Sequence, residues 1–156
     1  MLTLICKAYK DGASVPERSI HTSVGGKNIS PGFQWNDAPA GTKTFCFSIV
    51  DPHPVARNWV HWLVVNIPGA TTELPEGASR RAMPAGTVEL VNGYGESGYG
   101  GPAPPKGTGP HPYIATIYAL STSVDASTIS TLKQFQQALE GKILAHASLT
   151  GFFERR

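Results

Sequence analysis

The sequence predicts a turn-rich, mainly β fold. Three observations carry that prediction. The hydrophobic residues fall in short, β-branched or aromatic runs that often alternate with polar ones, the seventeen glycines and thirteen prolines are spread between those runs, and only one segment has a helical period. Taken in order, the expected strands are Leu2 to Tyr9, Thr44 to Val50, Trp59 to Ile67, Thr87 to Val91 and Tyr113 to Leu120. Phe45, Phe47 and Ile49 form one apolar face, whereas Trp59 to Ile67 is apolar on both, as a central strand covered on each side would be. More than one layer follows. Thr71 to Ala85 reads as a surface connection. Ile129, Leu132, Phe135 and Leu139 share one face of a 3.6-residue period, with Ser127 or Ser130 as the expected cap and Gly141 as the stop. Ile143 to Phe153 then returns to a strand-like pattern, so the helix is an appendage on a β core.

Composition narrows the function. A chain of 156 residues suits a single domain spanning 1–156 that needs no disulfide or metal staple. Charged residues make up 15% with a net charge of +2 and no basic run, a poor footprint for nucleic acid. Cys6 and Cys46 lie far apart in hydrophobic runs and read as buried free thiols of a reducing compartment. Met1 to Tyr9 is too short and lacks the basic leader of a signal peptide, and nothing approaches the roughly twenty apolar residues of a membrane span. A soluble cytoplasmic protein without membrane insertion is expected.

Two separated segments hold the chemistry. Asp51-Pro52-His53-Pro54 precedes Trp59-Val60-His61-Trp62, and Gly100-Gly101-Pro102-Ala103-Pro104-Pro105 precedes His111-Pro112-Tyr113. Each places a histidine on a strand beside a proline-glycine loop. Gly93-Tyr94-Gly95-Glu96-Ser97-Gly98 matches a dinucleotide fingerprint by letter, but the prolines and glycines after it forbid the helix whose amino terminus would hold the pyrophosphate. Gly95-Glu96-Ser97-Gly98-Tyr99 fails as a nucleophile elbow, and neither cysteine has a nucleophile's setting. No cofactor and no catalytic residue is therefore expected. By strand parity His61 goes with Trp59, Leu63 and Val65, and His111 with Tyr113.

If the loops meet, Asp51, His61, His111 and Tyr113 surround a small cavity to which the Gly100 and Gly101 amides add donors, a set suited to phosphate or carboxylate. Asp51 would orient one imidazole and favour its protonated form, so anion affinity should weaken as pH rises past the imidazole pKa values. Zinc is the competing reading for Asp51, His53, His61 and His111, but the prolines make that segment irregular and no paired-histidine motif is present. No metal site is expected. His21 and His146 offer no motif.

At these residues the chain resembles the phosphatidylethanolamine-binding protein family, in particular its short bacterial and archaeal members, the Raf kinase inhibitor-like proteins. The resemblance runs from Ile29-Ser30-Pro31 through Trp35-Asn36-Asp37-Ala38-Pro39-Ala40-Gly41-Thr42-Lys43 to the carboxyl-terminal helix and strand, and includes His61 to Pro68 and Ile117 to Leu120. It implies a large central antiparallel sheet, a smaller packed sheet and a carboxyl-terminal helix. It also implies an anion pocket made of Asp51, Pro52, Trp59, His61, Gly101, Pro104, His111 and Tyr113; His53, outside the family's pattern, is an added candidate from this sequence alone, as a third imidazole. Two positions depart from the family's pattern, His53 where an aspartate is usual and Pro112 where an arginine is usual. In relatives those two positions are expected to face one another as an ion pair.

The expected function is non-enzymatic binding of a small anion, phosphate or a phosphorylated head group. Inhibition of a kinase or protease through a protein surface is the second expectation, and a hydrolase using His61 or His111 as general base is the third. Edge strands leave a homodimer open.

Overall fold

The computed structural model describes residues 1–156. Eight strands and one α-helix follow in chain order: β1 (Thr3–Cys6), β2 (Phe33–Asn36), β3 (Thr44–Asp51), β4 (Trp59–Pro68), β5 (Glu73–Leu74), β6 (Val88–Glu89), β7 (His111–Leu120), α1 (Leu132–Leu139) and β8 (Ile143–Phe153). They form a three-stranded sheet in the order β1-β2-β5 and a five-stranded sheet in the order β6-β4-β3-β7-β8, antiparallel throughout. No helix is long and apolar enough to cross a membrane.

Alternation along β3 and β7 divides the core in two. Phe45, Phe47, Ile49, Tyr113, Ala115 and Ile117 face the small sheet and pack with Leu2, Leu4, Phe33 and Trp35. Cys46, Leu63, Val65 and Leu120 face the other way and pack with Ile129, Phe135 and Leu139 of the α1 region. The molecule is thus three layers, small sheet on large sheet on helix, and β4, apolar on both faces, lies inside the large sheet between β3 and the two-residue β6, covered on each side, although β3 is the central strand. Both cysteines are buried and unpaired.

Several elements differ from the sequence reading. The first strand is shorter, and β2 and β5 were not anticipated. Leu74 and Ala78 are almost fully buried, so the segment from Thr71 to Ala85 is part of the small sheet's packing rather than a plain surface connection. The fourth expected strand shrinks to two residues, with Val91 in an isolated bridge to Ser97. Thr131, not Ser127 or Ser130, caps α1 by accepting the Gln134 N–H, while Gln134 Oε1 accepts from Ser130. Gly141 follows the helix with φ of +74°, as a stop glycine does.

Candidate functional site

Three strand ends bring the pocket together. Asp51, the last residue of β3, pairs with Trp59, the first of β4, while β7 begins at His111. Asp51, Trp59, His61, Pro104, His111 and Tyr113 line one cavity of about 240 Å³, joined by Val55, Ala56, Tyr94, Ala103 and Pro105.

The position of His61 depends on a bulge. Ile49 pairs with Trp62 and Val50 with Val60, so His61 is the extra residue of β4. Strict alternation would have sent it to the helix side with Leu63 and Val65. The bulge turns it to the opposite face, where its ring meets Tyr113 edge-on at 5.0 Å between centroids. The parity argument therefore fails for Leu63 and Val65, which pack beneath α1.

His61 is 3% exposed, and its Nδ1–H donates to the Gly100 carbonyl at 2.7 Å. Nε2 is left without a partner in the protein and faces the cavity. Burial pushes the imidazole pKa down to about 4, against the opposing pull of the Gly100 carbonyl and Asp51. His61 is accordingly neutral near pH 7 and presents a lone pair. Tyr113, held well above the ordinary phenol range by burial and then by Asp51, keeps its proton and presents an O–H.

Asp51 and His111 form a buried pair. Asp51 Oδ2 accepts from His111 Nδ1 at 2.6 Å, and Oδ1 accepts the His53 backbone N–H at 2.9 Å. Nε2 of His111 lies 2.8 Å from Thr108 Oγ1, whose own hydroxyl is 2.8 Å from the Pro105 carbonyl. The aspartate orients His111 as expected, whereas His61 is oriented by backbone.

Some expected residues lie elsewhere. Pro52 is on the helix side, lining a second groove with Val50, Ile114 and Phe135. Gly101 is behind the wall: its amide donates to Asn28 Oδ1 and its carbonyl accepts from Tyr94 O–H. The Gly100 amide donates to the His61 carbonyl. Neither amide is free to receive an anion, because both tie neighbouring chain segments. Gly101 is required for another reason, since a Cβ there would lie 2.3 Å from the Ser19 carbonyl oxygen. His53 is not on the cavity surface but stacks on the outer face of His111, with centroids 3.8 Å apart and planes 6° apart. Pro112 pairs with Phe152 and has the strand parity of Ile114 and Thr116, which line the helix-side groove. Position 53 is thus committed to His111 in this chain.

Tyr94 is the cavity-lining side chain that sequence reasoning missed. It lies in the glycine run dismissed as a nucleotide site, where Asn92 Oδ1 accepts from the Tyr94 and Glu96 amides and closes a turn with no helix after it. Trp59 crosses its ring at 72° and His21 stacks on it at 4.2 Å. Gly93 makes room for this: a Cβ would meet Trp59 Cε2 at 2.3 Å. No group of three or more His, Cys, Asp or Glu side chains is placed to hold a metal ion.

The family model for phosphatidylethanolamine-binding proteins matches residues 6–154. The chain belongs to the phosphatidylethanolamine-binding protein family. Within it, the UPF0098 protein YbhB of Escherichia coli is 39% identical, over 97% of this chain and 99% of that protein. A UPF0098 protein of Aquifex aeolicus is 35% identical, over 99% of this chain and 90% of that one. The crystal structure of E. coli YbcL, another family member, superposes with a TM-score of 0.92 at 33% identity, covering 99% of both chains. The two sheets, with one helix before the last strand, match that structure's fold.

Proposed function

We propose that this family member is a non-enzymatic binding protein whose pocket takes a small anion, phosphate or a phosphorylated head group, together with a proton. The observation that carries the reading is the unpartnered Nε2 of His61, whose ring meets Tyr113 edge-on, in a cavity also lined by Val55, Ala56, Trp59, Ala103, Pro104 and Pro105. A lone pair facing an anionic oxygen is repulsive, so the complex needs a proton between them, taken from solvent by Nε2 or brought as a P–OH. For an anion that does not itself titrate, affinity then falls as pH rises above about 4, by at most about tenfold per pH unit. The volume suits a head group rather than a whole lipid. Hydrolysis through a covalent side-chain nucleophile is disfavoured because no serine, threonine or cysteine lines the cavity.

Calorimetric titration of phosphoethanolamine and dimethyl phosphate at pH 6 and pH 8 tests this, on wild type and on His61→Gln. Saturable binding that is tighter at pH 6 and lost in the variant is expected. Failure of folded wild type to bind at either pH removes the reading and directs the search to protein partners. Those would meet the exposed Val55 and Trp59 at the rim.

A further inference from the structure

His53 occupies a position at which its tautomer is fixed by structure. Its Nδ1 accepts the Val55 N–H at 3.1 Å, which requires a lone pair there, so the ring proton is on Nε2 and donates to the Thr108 carbonyl at 3.1 Å. Those two bonds join the opposite walls of the pocket. Val55 and Ala56 belong to the β3–β4 loop, and Pro104 and Pro105 to the loop that ends at Thr108 and His111. The β3–β4 loop has no strand pairing of its own and turns through Arg57 and Asn58 at φ of 53° and 60°. Besides the His53 side-chain bonds, it is closed locally by the Ala56 and Arg57 amides on the His53 carbonyl and by the His53 amide on Asp51.

We propose that His53 is the acid-sensitive latch of the pocket: its neutral imidazole holds the Val55–Ala56 wall against the Thr108 loop, and its protonation lets that wall go. A proton added at Nδ1 would confront the Val55 N–H with a second donor, so the bond to the wall is lost. The charged groups around the ring oppose that proton only in part. Asp51, the carboxylate bonded at the stack, is shared with His111, whose ring lies flat against His53. The cations on the same two loops, Arg57 and Lys106, are solvent-exposed, and Arg155 joins the second loop through its carbonyl, which accepts the Gly107 N–H. The latch rests on the binding function proposed above and sets its regulation. His61 favours binding as pH falls, whereas protonation of His53 opposes it by one proton, so the rise in affinity should level off.

The test follows dimethyl phosphate affinity from pH 8 to pH 5 by calorimetry, in wild type and in His53→Gln, which can still donate towards Thr108 but cannot take up a proton. The amide shifts of Val55 and Ala56 are followed by NMR in the unliganded protein over the same range. Wild type should level off towards pH 5. His53→Gln should continue to tighten, by up to about tenfold per pH unit, and the Val55 amide should move with the His53 ring in wild type alone. Coincident affinity profiles for the two proteins overturn the proposal, as does a Val55 amide that stays still while the His53 ring titrates. If the amide follows the ring but dimethyl phosphate binds at no pH, the latch stands and the anion reading falls.

Discussion

A buried ion-forming pair and a buried neutral imidazole sit side by side in this pocket, and they respond oppositely to change. Asp51 and His111 satisfy each other at 2.6 Å with both side chains almost wholly out of solvent. Removing the ring by His111→Ala leaves the carboxylate without its main partner, and a loss of about 3–5 kcal/mol is expected in urea unfolding. His61 acts through pH instead. Its folded pKa of about 4 is below the ordinary value of 6.5, so the unfolded chain binds the extra proton first. The stability it contributes is complete above pH 6.5 and is lost as pH falls towards 4, by about 3 kcal/mol. Unfolding of wild type and His61→Gln across that range should give curves that converge at low pH. Parallel curves would mean that the imidazole is not held neutral.

At the level of elements, β4 decides the architecture through two irregularities that no periodicity reveals. One aims His61 at the pocket. The other lies at Asn66, whose φ of 59° shifts the register between Phe45 and Phe47 and sends both Val64 and Ile67 into the same core. Its side chain donates to the Val124 carbonyl and accepts the Val124 N–H, tying the large sheet to the approach of α1. Asn66→Ala loses both bonds and strains the backbone, and is expected to cost about 2–3 kcal/mol in thermal or urea unfolding, with Asn66→Gly recovering the backbone part. Thr131→Ala, which removes only the α1 cap, should cost about 1 kcal/mol. The same comparison shows what was legible. The long strands declare themselves because their apolar runs exceed what a loop tolerates, and α1 because its face repeats. Strand β2 has only four residues between Gly32 and Asp37, yet Phe33 and Trp35 alternate with polar neighbours and are 1% exposed, a signal that was available. Strand β5 has two residues and no pattern to read.

Across the whole molecule, the antiparallel order of the large sheet puts the end of β3 beside the starts of β4 and β7, so residues 51, 61 and 111 converge though they are far apart in sequence. Those polar residues were legible, because a histidine beside a proline-glycine loop is an unusual use of a strand end. Tyr94 and the helix-side placement of Pro52 were not, since a turn's direction depends on bonds such as Asn92 to Tyr94 that spacing does not encode. What the assembled pocket offers is one lone pair and one hydroxyl within apolar walls, and the central claim is that an anion enters only with a proton for His61. The most direct measurement is the heat of dimethyl phosphate binding at pH 8 in buffers of different ionisation enthalpy. The account predicts uptake approaching one proton per anion in wild type, and neither uptake nor saturable binding in His61→Gln. Binding without proton uptake, or uptake that survives in the variant, would contradict it.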